Sequence, residues 1–125
     1  MDEAGVNFVA KLYEERGCFI AEKNIDVLKH YDLLVYCPGE GGLRRFYVEV
    51  KGHLGYVLVA ELSEAETELA ESHPYDYVVC NVMGLENPDS STWVHLCGLY
   101  AELPKTLVTE TREERRARLF FPPQG

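Results

Sequence analysis

Phe46-Tyr47-Val48-Glu49-Val50-Lys51-Gly52 is the stretch on which the reading of this chain turns. Its aromatic and β-branched residues favour a strand, and alternate residues of a strand share a face. Phe46, Val48 and Val50 therefore point into a core, while Tyr47, Glu49 and Lys51 point together to the other side. A carboxylate and an ammonium two residues apart are then fixed neighbours, about 6.5–7 Å apart along the backbone. Upstream, Leu33-Leu34-Val35-Tyr36-Cys37 reads as a second strand, and Pro38-Gly39-Glu40-Gly41-Gly42 between the two as a turn. The pair predicts an antiparallel hairpin. Asp32 opens the first of these strands, so two carboxylates and a lysine converge at one end of the hairpin.

Working outward, residues 4–16 predict an amphipathic helix in which Phe8, Val9, Leu12 and Tyr13 recur at helical spacing, stopped by Gly17. Cys18-Phe19-Ile20-Ala21 is a short strand, and 56–61 is a further extended stretch. Ser63-Glu64-Ala65-Glu66 has the form of a capping box and opens a helix to about Ser72, closed by His73-Pro74. The continuous apolar run Tyr77 to Val82 fits a central strand, parallel to an earlier one after a helical crossover. Trp93 to Leu99 is another strand. Thr111 to Arg118 predicts a charged helix within a C-terminal segment, 109–125, that ends in a Phe/Pro tail. The order is αββββαββα, one α/β domain over 1–125 with a mixed sheet flanked by helices. Phe8, Leu12, Leu34, Phe46, Val48, Val50, Val78 and Val79 are the expected core.

The composition is that of a globular chain, 46% hydrophobic and 26% charged over 125 residues. No apolar run approaches the roughly 20 residues of a membrane span, and the acidic start Met1-Asp2-Glu3 lacks the features of a signal peptide. Four cysteines at wide spacing (Cys18, Cys37, Cys80, Cys97) predict buried free thiols, hence a cytoplasmic, reducing compartment. Twelve Lys+Arg against 21 Asp+Glu give a net charge of −9, which repels phosphate backbones overall. Nucleic-acid binding is therefore expected to be weak, and a protein partner or homo-oligomer is expected through a sheet edge or the apolar tail Phe120-Phe121-Pro122-Pro123.

The chemistry that wants two carboxylates and a lysine together is metal-assisted phosphodiester hydrolysis. Asp32 and Glu49, with the Val50 backbone carbonyl, supply hard oxygen ligands to Mg²⁺ or Mn²⁺. Lys51 orients the attacking water or neutralises charge on the phosphate. The plain alternative is a solvated strand face, where Glu-x-Lys pairs are common. Asp26 is a rival for Asp32. His53, just past Lys51, reads as a strand-exit histidine or a phosphate contact. Glu66 reads as serving its helix cap. Arg112, Arg115, Arg116 and Arg118 form a phosphate-binding patch or, offset by Glu113 and Glu114, a solvated helix.

Asp32 with Glu49-Val50-Lys51 resembles the signature of the PD-(D/E)xK nuclease-like superfamily, which includes restriction enzymes and archaeal Holliday-junction resolvases. A closer likeness, over residues 5 to about 83, is to the NO VEIN C-terminal-type domain. It rests on Gly5-Val6-Asn7-Phe8-Val9, Tyr31-Asp32-Leu33, Val48-Glu49-Val50-Lys51-Gly52, Leu62-Ser63-Glu64-Ala65-Glu66 and Tyr75-Asp76-Tyr77-Val78-Val79. The resemblance implies a restriction-endonuclease-like fold and either a divalent-metal-dependent nuclease or a catalytically inactive, nuclease-derived interaction module. Two positions depart from the pattern. A glutamate often found on the first helix is replaced by Val6 and Asn7, leaving Asn7 to reach a metal-bound water, and Tyr31 stands where proline usually precedes the first acid.

Overall fold

The computed structural model describes residues 3–24, 29–109 and 115–122. The elements are α1 (Glu3–Glu15), β1 (Phe19–Lys23), β2 (Leu33–Gly39), β3 (Gly42–His53), β4 (Val59–Glu61), α2 (Glu64–Ser72), β5 (Tyr77–Met83), a 3₁₀ turn (Ser90–Thr92), β6 (Val94–Leu99), β7 (Lys105–Thr109) and β8 (Arg115–Phe120). They form a mixed α/β structure of two helices and two sheets in which strands predominate. One sheet has five strands in the order β1-β2-β3-β5-β6, the other three in the order β4-β8-β7.

The hairpin forms as its turn residues dictate. Leu33 pairs with Val48 and the ladder runs in register to Gly39 and Gly42. Gly41 and Gly42 take φ of 82° and 126°, backbone that a side chain would strain. Across the sheet, β5 lies parallel to β3, from Tyr47 opposite Tyr77 to His53 opposite Met83. That arrangement needs a crossover, and the crossover includes α2. Every residue of β5 is buried, which explains its unbroken apolar sequence.

Two hydrophobic clusters lie on the two faces of the five-stranded sheet. On one face Val6, Val9 and Ala10 of α1 pack against Leu33, Val35, Val48, Val50, Val78, Cys80 and Val82. On the other, Leu62, Ala70, Ala117, Leu119 and Phe121 meet Tyr77 and Val79. The buried stripe of α1 is Gly5, Val6, Val9 and Ala10, small or β-branched side chains that let the helix sit close to the sheet. Phe8 and Leu12 are only half-buried, Phe8 making an edge-to-face contact with His95 and packing on Trp93. Leu34 and Phe46 are likewise half-buried, whereas Val48, Val50, Val78 and Val79 are buried as expected.

Three expectations are corrected. The C-terminal helix is absent from the described part of its range: Arg115 to Phe120 is a strand, because Ala117 and Leu119 alternate into the second core while pairing with β4 and β7. The rest of that predicted helix, 111–114, lies outside the described residues. The tail is only partly exposed, since Phe121 is buried and its N–H bonds the Leu58 carbonyl at 2.9 Å. The cysteines are joined as Cys18–Cys37 and Cys80–Cys97. Pairing of neighbouring strands brings them opposite one another: Cys80 faces Cys97 in the β5–β6 ladder, and Cys18 precedes the Phe19–Tyr36 pair. The argument for a reducing compartment thus loses its free thiols. Among the described residues no helix is long and apolar enough to cross a membrane.

Closing loops with sequence separations of 19 and 17 restricts the unfolded chain by about 3 kcal/mol each in the chain-entropy account. Peptide mapping without reductant should recover the 18–37 and 80–97 links, and reductant should lower the denaturation midpoint. Four titratable free thiols in the native protein would contradict both bonds.

Candidate functional site

The site begins where the β2–β3 ladder stops. Past the Leu33–Val48 pair, Asp32 donates its N–H to the Val48 carbonyl at 2.8 Å, and its Oδ2 accepts the Val50 N–H at 2.8 Å. A side-chain oxygen thus replaces the next backbone acceptor of β2. In a strand the N–H and C=O of one residue point to the same edge, so the Val50 carbonyl also faces the gap beside Asp32. Side-chain alternation sends Glu49 and Lys51 to the second face of the sheet. This face is covered, and Glu49 is only 5% exposed and Asp32 9%. The solvated-strand alternative does not hold.

Lys51 Nζ lies 3.2 Å from Glu49 Oε2 and 2.9 Å from Glu66 Oε1. Glu66 was readable in the sequence only as a helix cap, and it is that: Ser63 Oγ accepts the Glu66 N–H, and Glu66 Oε1 accepts the Ser63 N–H. Its carboxylate does both jobs, so the capping box fixes α2 and anchors the lysine at once. A Ser-x-x-Glu motif opening the helix that follows the Glu-x-Lys strand is the signal that could have identified it. Behind the cluster the Tyr77 hydroxyl donates to the His30 carbonyl at 2.7 Å.

Three carboxyl groups and one ammonium share this half-closed space, and the imbalance sets their protonation. Burial, reinforced by Asp32 and Glu66 against the pull of Lys51, raises Glu49 from an ordinary 4.5 to about 9. Burial also raises Asp32, opposed by the Val50 N–H and Lys51. Burial alone would lower Lys51, but Glu49 and Glu66 overcome it and hold the ammonium charged. Burial would raise Glu66, yet Lys51 and the Ser63 N–H bring it below its usual range. Near neutral pH, Glu49 therefore carries the proton that relieves the excess charge.

That surplus of hard oxygen donors fits a divalent cation, which can take the place of the proton. Asp32 and Glu49 with the Val50 carbonyl are the residues that would hold it. Among the described residues no three His, Cys, Asp or Glu side chains group to hold a metal, and Glu66 is engaged by Lys51. Asn7 does not join the site, its Oδ1 accepting Lys23 Nζ at 2.8 Å. Arg115 pairs with Glu71, and Arg118 and Arg116 with Glu61, so these arginines are met by carboxylates of α2 and β4. Asp26 and Arg112 lie outside the described residues.

The family model described as Protein NO VEIN, C-terminal, matches residues 2–96. The chain belongs to this family. Searches of curated proteins and of solved structures returned no match. The NO VEIN C-terminal match takes in the whole cluster of Asp32, Glu49, Lys51 and Glu66 and ends inside β6, so β7 and β8 lie beyond it.

The protonation of Glu49 has a measurable consequence in the metal-free protein. Between pH 4.5 and about 9 the folded state holds a proton that the unfolded state has lost, so this contribution to stability falls as pH rises through that window. Thermal unfolding in EDTA should show this decline, and Glu49→Gln, which stays neutral, should flatten it. A wild-type midpoint that climbs steadily over the same range, equally in Glu49→Gln, would refute the assignment.

Proposed function

We propose that this chain is a divalent-metal-dependent nuclease of the PD-(D/E)xK type, hydrolysing phosphodiester bonds of DNA or RNA. The observation that carries the reading is the gathering of Asp32, Glu49 and Lys51 where β2 ends and β3 continues, with a buried carboxyl that demands a cation or a proton. The antiparallel β2–β3 hairpin, the crossover through α2 and the parallel β5 support a restriction-endonuclease-like core. A bound Mg²⁺ or Mn²⁺ would supply a water of lowered pKa and neutralise phosphate charge. Asp32 is oriented for this by the Val50 N–H, and Glu49 by the covered sheet face. Lys51, held charged by Glu49 and Glu66, contributes a fixed ammonium aimed at the charge that develops on phosphorus oxygens.

Purified protein with Mn²⁺ should cleave at least one of single-stranded, duplex or branched DNA or RNA, more weakly with Mg²⁺, which demands stricter octahedral geometry. Lys51→Ala should lose roughly 10²–10³-fold, and EDTA should abolish cleavage. Activity should fall as salt rises, because salt weakens the local attraction of Lys51 for phosphate, in a chain whose net charge of −9 offers few other cationic contacts. Equal cleavage by wild type and Lys51→Ala would assign the activity to a contaminant.

A second reading, a catalytically silent module that docks on a second copy of itself, is favoured by the β6 edge. The opposite edge, β1, carries Glu22 and Lys23 and an irregular register, the usual protections against edge pairing. β6 (Val94–Leu99) has no acidic or basic residue other than His95 and keeps regular register with β5. Beside it Tyr56, Leu58, Met83, Trp93 and Val94 line a cavity of about 590 Å³. An uncharged edge is where two copies at −9 repel least. Sedimentation should then show a dimer that Val94→Lys dissociates, and a monomer at high concentration would remove this reading.

A further inference from the structure

His53 is the last residue of β3, and alternation puts it on the face of Glu49 and Lys51, about 6.5–7 Å beyond the lysine. Diagonally across on β5, opposite Lys51, is Asn81, the one amide in a strand otherwise made of Tyr77, Val78, Val79, Cys80, Val82 and Met83. Asn81 is fully buried, and a buried amide costs stability unless both ends are bonded. Its Nδ2 donates to the Val57 carbonyl at 2.7 Å, which fixes the amide orientation and turns Oδ1 towards His53 Nε2 at 2.6 Å. An amide oxygen only accepts, so Nε2 must carry the hydrogen, and in the neutral ring Nδ1 is then the lone-pair nitrogen. Among the described residues Nδ1 has no hydrogen-bond partner.

The cluster around Lys51 lacks a free base. Asp32 and Glu49 are committed to a cation or a proton, and Lys51 and Glu66 are paired with each other. Resting on the nuclease reading, we propose that His53 is a catalytic residue of this site, its Nδ1 taking a proton from the attacking water, and that Asn81 is the positioning residue that holds its tautomer. The bond formed is water oxygen to phosphorus, and the bond broken is phosphorus to the leaving oxygen, which keeps the electron pair and is protonated by solvent. The imidazolium, its Nε2–H still on Asn81 Oδ1, then returns its proton to solvent. Neither oxidant nor further reactant is needed.

Long-range proton–nitrogen NMR on the ¹⁵N-labelled chain should show His53 as the Nε2–H tautomer at neutral pH, with that preference lost in Asn81→Leu. In the Mn²⁺ assay on the same oligonucleotides, His53→Ala should lose about 10²-fold or more, and added imidazole should restore part of the rate. His53→Gln keeps a donor for Asn81 but has no base, so it should melt as wild type does and still fail to cleave. An Nδ1–H tautomer in wild type, or cleavage by His53→Gln at the wild-type rate, overturns the assignment and leaves the nuclease reading standing. A wild type that cleaves nothing with Mn²⁺ sinks the nuclease reading and the catalytic role of His53 with it.

Discussion

Asp32 holds β3 twice, through its backbone N–H on the Val48 carbonyl and through its carboxylate on the Val50 N–H. The second bond is the constraint on which the rest depends. Without it β3 beyond Val48 would present an unpaired N–H on a face that water hardly reaches, and a buried unpaired donor costs about 1–3 kcal/mol. With it, the two strands part cleanly and β3 runs on to His53, paired on its other side with β5. The same carboxylate that ends the ladder is left at the mouth of the gap, beside Glu49. Structure and candidate chemistry thus share one side chain.

From that point the second face of the sheet has to solve a charge problem. Glu49 arrives there by strand alternation, and α2, tied to β8 by the Ala117 N–H on Thr67 Oγ1, covers it. Covering a lone carboxylate is expensive, and the chain answers with one ammonium shared between two acids. Lys51 binds both Glu49 and Glu66, and Glu66 is held in turn by the Ser63 N–H. Helix start, lysine position and acid protonation are therefore one coupled arrangement. Because three acids face one ammonium, the arrangement is stable only with an extra positive charge present, supplied by a proton on Glu49 when nothing else binds.

Much of this was legible in the sequence because it rests on local rules. The Gly-rich turn set the hairpin register, alternation put Glu49 and Lys51 on one face, and Ser63 with Glu66 announced the α2 start. What escaped was whatever depends on which elements meet. Arg115 to Arg118 has the composition of a charged helix, yet Ala117 and Leu119 find a second core in a sheet with β4, and tertiary burial outweighs propensity. The cysteine pairs, 19 and 17 residues apart, become neighbours only through strand order. The double role of Glu66 was hidden because a cap satisfies every local demand on that residue. Asn81 sat unremarked in an apolar run, although an amide inside a fully buried strand is a signal in itself.

The acidic surface gains a different sense once the arginines are placed. Those of β8 are spent on Glu61 and Glu71, holding β8 to its neighbour β4 and to α2. A chain at −9 draws small cations and holds off polyanions, and both effects extend over about a Debye length. A divalent ion therefore reaches the Asp32–Glu49 gap more readily than a phosphodiester does. A cation held there would replace the proton on Glu49 and lower the charge a phosphate must approach. Under the proposed nuclease function, electrostatics would favour cation first and phosphate second, the phosphate held locally by Lys51.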